Sequence, residues 1–108
     1  MRRPEHAINK IVALTPSIDV DTTSHKVIKE GKEVELTAKE FSILLYFLHH
    51  PNKVINQQEL YDHVFDYAEV QLSNTIEVHI KNLRKKLRTK NHEIPIKTIR
   101  GAGYRLDL

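Results

Sequence analysis

The stretch SNTIEVHIKNLRKKL, Ser73 to Leu87, gathers side chains suited to touching a nucleic-acid surface. Wound as a helix at about 100° per residue, it places Asn74, Thr75, Val78, Lys81, Asn82 and Lys85 on one face. The carboxamide of Asn82 can pair with adenine through N7 and N6, and the methyls of Val78 and Thr75 suit thymine C5-methyls. Lys81 and Lys85 can reach a base or a phosphate, while His79 and Arg84 on the flanks suit the phosphates that wall a groove. Glu77 can accept from a cytosine amino group, and it is equally suited to capping the first turn. A second set lies in TIRGAGYRL. Arg100 stands at the tip of a turn whose glycines, on either side of Ala102, allow tight bending and close approach to a backbone. A guanidinium at such a tip fits a minor groove, and Thr98 and Tyr104 beside it can donate to phosphates. The plainer alternatives are a surface Arg, a core Tyr, and a Val78 that packs on a neighbouring domain or is simply exposed.

Catalytic arrangements are missing by comparison. Seven His occur without HExxH, and there is no Gly-x-Ser-x-Gly, no phosphate loop and no carboxylate pair beside a nucleophile. His49 and His50 end a helical run, where capping carbonyls suits them better than binding metal. No Cys is present, so neither a disulfide framework nor a thiolate metal site is expected. The chain is therefore read as no enzyme, with no metal and no cofactor.

Charge supports the nucleic-acid reading through its placement. The net charge is only +3, and the eight Lys/Arg of residues 1–60 cancel against eight Asp/Glu. Residues 71–106 carry nine basic residues against Glu77 and Glu93, a local +7. Between them Glu59, Asp62, Asp66 and Glu69 make an acidic patch. Charge segregated in this way is the footprint of a polyanion-binding face, although a solvated basic helix also produces it.

The elements that must hold these residues follow from the periodicity. At 108 residues the chain is long enough for one domain with its own core. Residues 1–8 read as a linker or tail, and 9–108 as the domain. From 9 to 36 the texture is β: KIVAL, a Thr15-Pro16-Ser17 turn, the alternating SIDVD, then HKVIKEGKEVEL as two strands joined near Glu30-Gly31. From 37 to 90 the period turns helical, and one start signal recurs three times, as TAKE, NQQE and NTIE. Each sets a capping oxygen three residues before a carboxylate. The expected helices run from Ala38 to His50, with Phe41, Leu44, Leu45 and Leu48 inward, and from Gln57 to Phe65, with Leu60, Val64 and Tyr61 inward. The third spans 74–89, and its Ile76, Ile80, Leu83 and Leu87 fall within about 60° of one another. Residues 96–108, IKTIR and YRLDL about a GAG turn, predict a hairpin. The class is α+β: an antiparallel sheet, three helices and a terminal hairpin, which is the winged form of a helix-turn-helix. Its recognition helix must anchor by one stripe while the other enters a major groove about 12 Å wide.

ELTAKEFSILLYFLHHPNKVINQQELYDHVFD, SNTIEVHIKNLRKKL and IKTIRGAGYRL, in this order and spacing, resemble the C-terminal effector domain of OmpR/PhoB-type response regulators. These are transcription factors of bacterial two-component systems, and the likeness runs from Ile11 onward. SNTIEVHIKNLR looks closest to the PmrA- and QseB-like branch. The resemblance implies a four-stranded N-terminal antiparallel sheet, three helices, a hairpin wing, and tandem head-to-tail homodimers on direct-repeat promoter sites in double-stranded DNA. Carried over by position, Thr75, Glu77, Val78 and Asn82 fall where relatives touch bases. Asn74, His79, Lys81, Arg84, Thr98 and Tyr104 fall where they hold phosphates, and Arg100 where the wing enters the minor groove. Asn74 and Asn82 stand where relatives often carry Arg, which puts bidentate guanine reading there in question.

The resemblance also implies that the loop Asp66 to Ser73 faces RNA polymerase, with Asp66, Tyr67 and Glu69 in the DYAEV segment; a merely long loop is the alternative. Family regulators begin with a receiver domain, for which the residues before Lys10 are too few. An excised effector domain is expected, with Arg2–Ala7 the remnant of a linker. No apolar run approaches the roughly 18 residues of a membrane span, and MRRPEHAINK lacks a signal-peptide middle, so a cytoplasmic protein without membrane contact is expected. The rival reading is a winged-helix module for protein or RNA. Against RNA, Tyr104 is the aromatic in the basic region, with no Phe or Trp platform beside it.

Overall fold

The computed structural model describes residues 11–65, 75–90 and 94–108. Its order is β1 (Ile11–Thr15), β2 (Ile18–Asp21), β3 (Lys26–Lys29), β4 (Lys32–Val34), α1 (Ala38–His49), α2 (Gln57–Val64), α3 (Thr75–Leu87), β5 (Ile96–Ile99) and β6 (Gly103–Leu106). The first four strands form one antiparallel sheet in sequence order, and β5 and β6 form a separate hairpin. Each turn follows from local chemistry. Lys29 pairs with Lys32 across a two-residue loop in which Glu30 and Gly31 both take positive φ, the backbone such hairpins require. Between β2 and β3, the Asp21 carboxylate accepts from the Thr23 and Ser24 amides. Period-two alternation turns Ile18, Val20 and Val27 inward and leaves Asp19 and Lys26 in solvent.

Thr37 and Glu40 form the expected reciprocal capping box on α1. Asn56 likewise accepts from the Glu59 amide at the start of α2, but the Glu59 carboxylate turns to the Tyr46 hydroxyl. The third start signal begins at Asn74, outside the described residues. α1 ends one residue early, at His49, because Pro51 follows; His50 caps it with its Nδ1 against the Tyr46 carbonyl at 2.9 Å. α2 stops at Val64, and Phe65 folds back into the core. α3 closes at Leu87, leaving Arg88 and Thr89 outside the helix that was expected to reach 89.

The aliphatic seam of α3 is buried in full: Ile76, Ile80, Leu83 and Leu87. On α1 the inward face is wider than expected. Ile43 and Phe47 are fully buried beside Phe41 and Leu44, while Leu45 and Leu48 are only half-buried. The cause is position, since α1 packs against α2, α3 and β6 together and has little free circumference. The hairpin is tied to this core by Ile55, which pairs with Tyr104 through N–H···O bonds of 2.7 and 2.9 Å, an attachment with no periodic signal in the sequence.

Candidate nucleic-acid interface

Outward from the seam, α3 exposes Glu77, Val78, Lys81, Asn82 and Lys85. Val78 retains 45% of its accessible surface, an uncovered apolar side chain between cations. Thr75 opens the helix, whereas Asn74, Asp66, Tyr67 and Glu69 lie outside the described residues. His79 is half-buried. Its Nδ1 is enclosed without a hydrogen-bond partner among the described residues, and its ring lies 6.0 Å from that of Phe65.

Arg84, expected on the flank of the helix, does not project freely. Its Nε donates to the Ile96 carbonyl at 3.1 Å and its terminal nitrogen to the Thr98 hydroxyl at 2.7 Å, with the guanidinium 5.8 Å from the centre of the Tyr104 ring. The guanidinium therefore fastens α3 to β5. Burial pulls its pKa below the ordinary arginine value, opposed by the neighbouring Tyr104. Tyr104 is likewise drawn inward at 7% exposure, because Gly103 brings β6 against Ile55 and carries the ring beneath the wing. Burial raises its hydroxyl pKa, with Glu77 adding to the shift and Arg84 opposing it. The close approach that glycine permits in the GAG turn is thus to the protein's own backbone.

Between α3 and β5 lies an open cleft of about 450 Å³ lined by Glu77, Lys81, Arg84, Arg88, Thr98 and Tyr104. Three cations against one carboxylate make it an anion-attracting notch. Arg88 was not singled out from the sequence. It lies one residue past the end of α3, yet in the helix expected to reach 89 it follows Glu77, Lys81 and Arg84 at helical spacing, and that stripe was the available signal. Arg100 stands exposed at the first turn position after β5, and Gly101 follows with φ 75°. The exposed cations on this side of the chain are Lys81, Lys85, Arg88, Lys90 and Arg100. The other basic residues of the segment are engaged. Lys86 reaches Glu40 at 2.6 Å, Arg105 pairs with Asp107, and Lys97 acts on Asp107 electrostatically. The local +7 therefore overstates the charge offered to solvent. Among the described residues no group of three His, Asp or Glu could hold a metal.

Residues 31–106 match the family described as transcriptional regulatory protein, C terminal. The phosphate regulon transcriptional regulatory protein PhoB of Escherichia coli K12 is 32% identical over 99 residues, covering 92% of this chain and 43% of PhoB. The chain thus spans less than half the length of the curated relatives it matches. Among solved structures, the DNA-binding domain of the response regulator AdeR, in complex with an intercistronic region, superposes with TM-score 0.71 at 33% identity, covering 89% of this chain and 98% of that domain. The response regulator DrrB of Thermotoga maritima, an OmpR/PhoB homologue, gives TM-score 0.77 at 29% identity, covering 90% of this chain and 44% of DrrB. With its four antiparallel strands, three helices and terminal hairpin, the chain belongs to the family of OmpR/PhoB-type winged-helix DNA-binding domains.

Proposed function

We propose that this chain binds double-stranded DNA sequence-specifically as the effector domain of a two-component transcriptional regulator. α3 enters the major groove and Arg100 the minor groove. The observation that carries this reading is the exposed Val78, set among Lys81, Asn82 and Lys85 on a helix that Arg84 ties to the wing. A branched apolar side chain on a cationic face is unfavourable in water but complementary to a thymine methyl. Thr75, Glu77, Val78 and Asn82 take the base edges. Lys81, Lys85, His79 through Nε2, and the notch at Arg84, Arg88, Thr98 and Tyr104 take phosphates. Asn74 joins them.

The AdeR domain was solved on an intercistronic DNA, which supports a duplex over RNA or protein as the partner. Tandem pairing on direct repeats, a contact of Asp66, Tyr67 and Glu69 with RNA polymerase, control by a receiver domain and a cytoplasmic setting complete the proposal. Titration of a mixed-sequence duplex at several salt concentrations tests it. Five exposed cations, each releasing about 0.9 counterion, give a slope of log affinity against log salt of about −4 to −5. A slope shallower than about −3 removes the phosphate-binding face and with it the proposal.

A further inference from the structure

Arg88 lines the notch beside Arg84 and Thr98, yet it lies beyond Leu87, the last residue of α3. Its spacing after Glu77, Lys81 and Arg84 points it toward the notch, but the helix ends before it and its backbone has to be held there. Lys29 of β3 supplies the constraint. Val27 and Lys29 alternate onto the inward side of the sheet, and the half-buried stem of Lys29 carries its ammonium to the end of α3. There Nζ donates to the Lys86 carbonyl at 2.9 Å and to the Arg88 carbonyl at 3.0 Å. The last carbonyls of a helix have no partner within it, and a cation there also complements the negative end of the macrodipole.

The first of these two residues is held from the other side as well. Lys86 sends its ammonium to Glu40 at 2.6 Å, and Glu40, 2% exposed, is itself fixed by accepting from the Thr37 amide at 3.0 Å in the capping box. Lys86 is thus gripped at its carbonyl by the sheet and at its side chain by α1. The backbone from 86 to 88 is fixed by elements outside α3.

We propose that Lys29 is a positioning residue for duplex binding, acting through Arg88. By holding the Lys86 and Arg88 carbonyls, it directs the Arg88 guanidinium into the notch between α3 and the wing, where a DNA phosphate sits. This rests on the DNA-binding reading above and extends it to a residue on the opposite sheet.

A double-mutant cycle on the full chain tests it, with a mixed-sequence duplex as probe and thermal unfolding run in parallel. Lys29→Met keeps the stem and removes the ammonium; it weakens binding by about three- to tenfold. Lys29→Arg, which keeps two donors, restores it. In an Arg88→Ala background, Lys29→Met causes no further loss, because the residue it positions is gone. Unchanged affinity of Lys29→Met alongside a lowered Tm assigns Lys29 to stability alone and overturns the proposal, as do additive losses in the cycle. If Lys29→Met does not fold, Lys29→Gln runs the same cycle with the same outcomes. Failure of the wild-type chain to bind duplex with the expected salt slope instead removes the DNA reading itself, so the two failures are distinguishable.

Discussion

Replacing Gly103 with Ala separates the wing from the body of the domain, and the geometry sets the size of the effect. A Cβ built at this position lies 2.2 Å from the Ile55 carbonyl oxygen, 2.8 Å from the Asn56 Cα and 2.9 Å from the Ile55 carbonyl carbon. All three are backbone atoms, so no side chain can rotate away. β6 must retreat, which breaks the paired bonds of Ile55 with Tyr104, each worth about 1 kcal/mol net. Gly103 also has φ 142°, a conformation that costs a side-chain-bearing residue roughly 1–3 kcal/mol. Together these give a destabilisation of about 3–5 kcal/mol, or roughly 12–40 °C in Tm for a domain of this size. Gly101→Ala is the internal control. Gly101 has φ 75° but nothing within 4 Å, so only the backbone term applies, about 1–2 kcal/mol. Urea unfolding of the two variants against wild type measures both. Equal losses for Gly101→Ala and Gly103→Ala would refute the close approach, and with it the account of how the wing is docked.

Val78→Ala is expected to change folding stability by less than about 1 kcal/mol, since Val78 keeps 45% of its surface exposed outside the buried seam of α3. In competition between duplexes selected by the wild-type chain, it relaxes the preference at one thymine by roughly 1–3 kcal/mol; a large loss of stability instead would make the valine core. Arg100→Ala leaves Tm unchanged, makes the salt slope shallower by about one, and weakens binding most at A/T-rich flanks. Equal binding on every sequence would end the minor-groove role of the wing.

Local physics is what the sequence displays well. The α3 seam repeats at helical spacing, so the spacing alone assigns Ile76, Ile80, Leu83 and Leu87 to the core, and all four are buried. The Thr37–Glu40 box and the Glu30-Gly31 turn are short-range hydrogen-bonding and backbone preferences, and both appear where expected. What stays hidden is the partner of a polar side chain across the fold. Glu40 reads as a cap, which it is, but nothing local announces that it is buried against Lys86, forty-six positions away. Ile55 is a single residue that completes a bridge with β6, and one residue has no period. Tyr104 has the same composition-level signature whether its ring faces solvent or the core. Close packing at Gly103 decides between the two.

The cations show why this distinction matters for recognition. Counted along the chain, Arg84 and Lys86 belong to the same basic run as Lys81 and Lys85, yet they do different work. Arg84 joins α3 to β5 through the Ile96 carbonyl and Thr98, while Lys86 joins it to α1 through Glu40. With its far end tied to β3 as well, the helix that carries Val78 and Asn82 is fixed relative to the hairpin that carries Arg100. A free arm would lose side-chain entropy on meeting a phosphate, whereas a preorganised frame has already done so in folding. Half of the basic run thus sets the position of α3 relative to the wing, and on the proposed reading the exposed half supplies the attraction. If Val78 and Arg100 take the two grooves as proposed, a duplex whose groove geometry departs from that spacing must deform to satisfy both, so even base pairs the protein never touches contribute to which sequence it prefers.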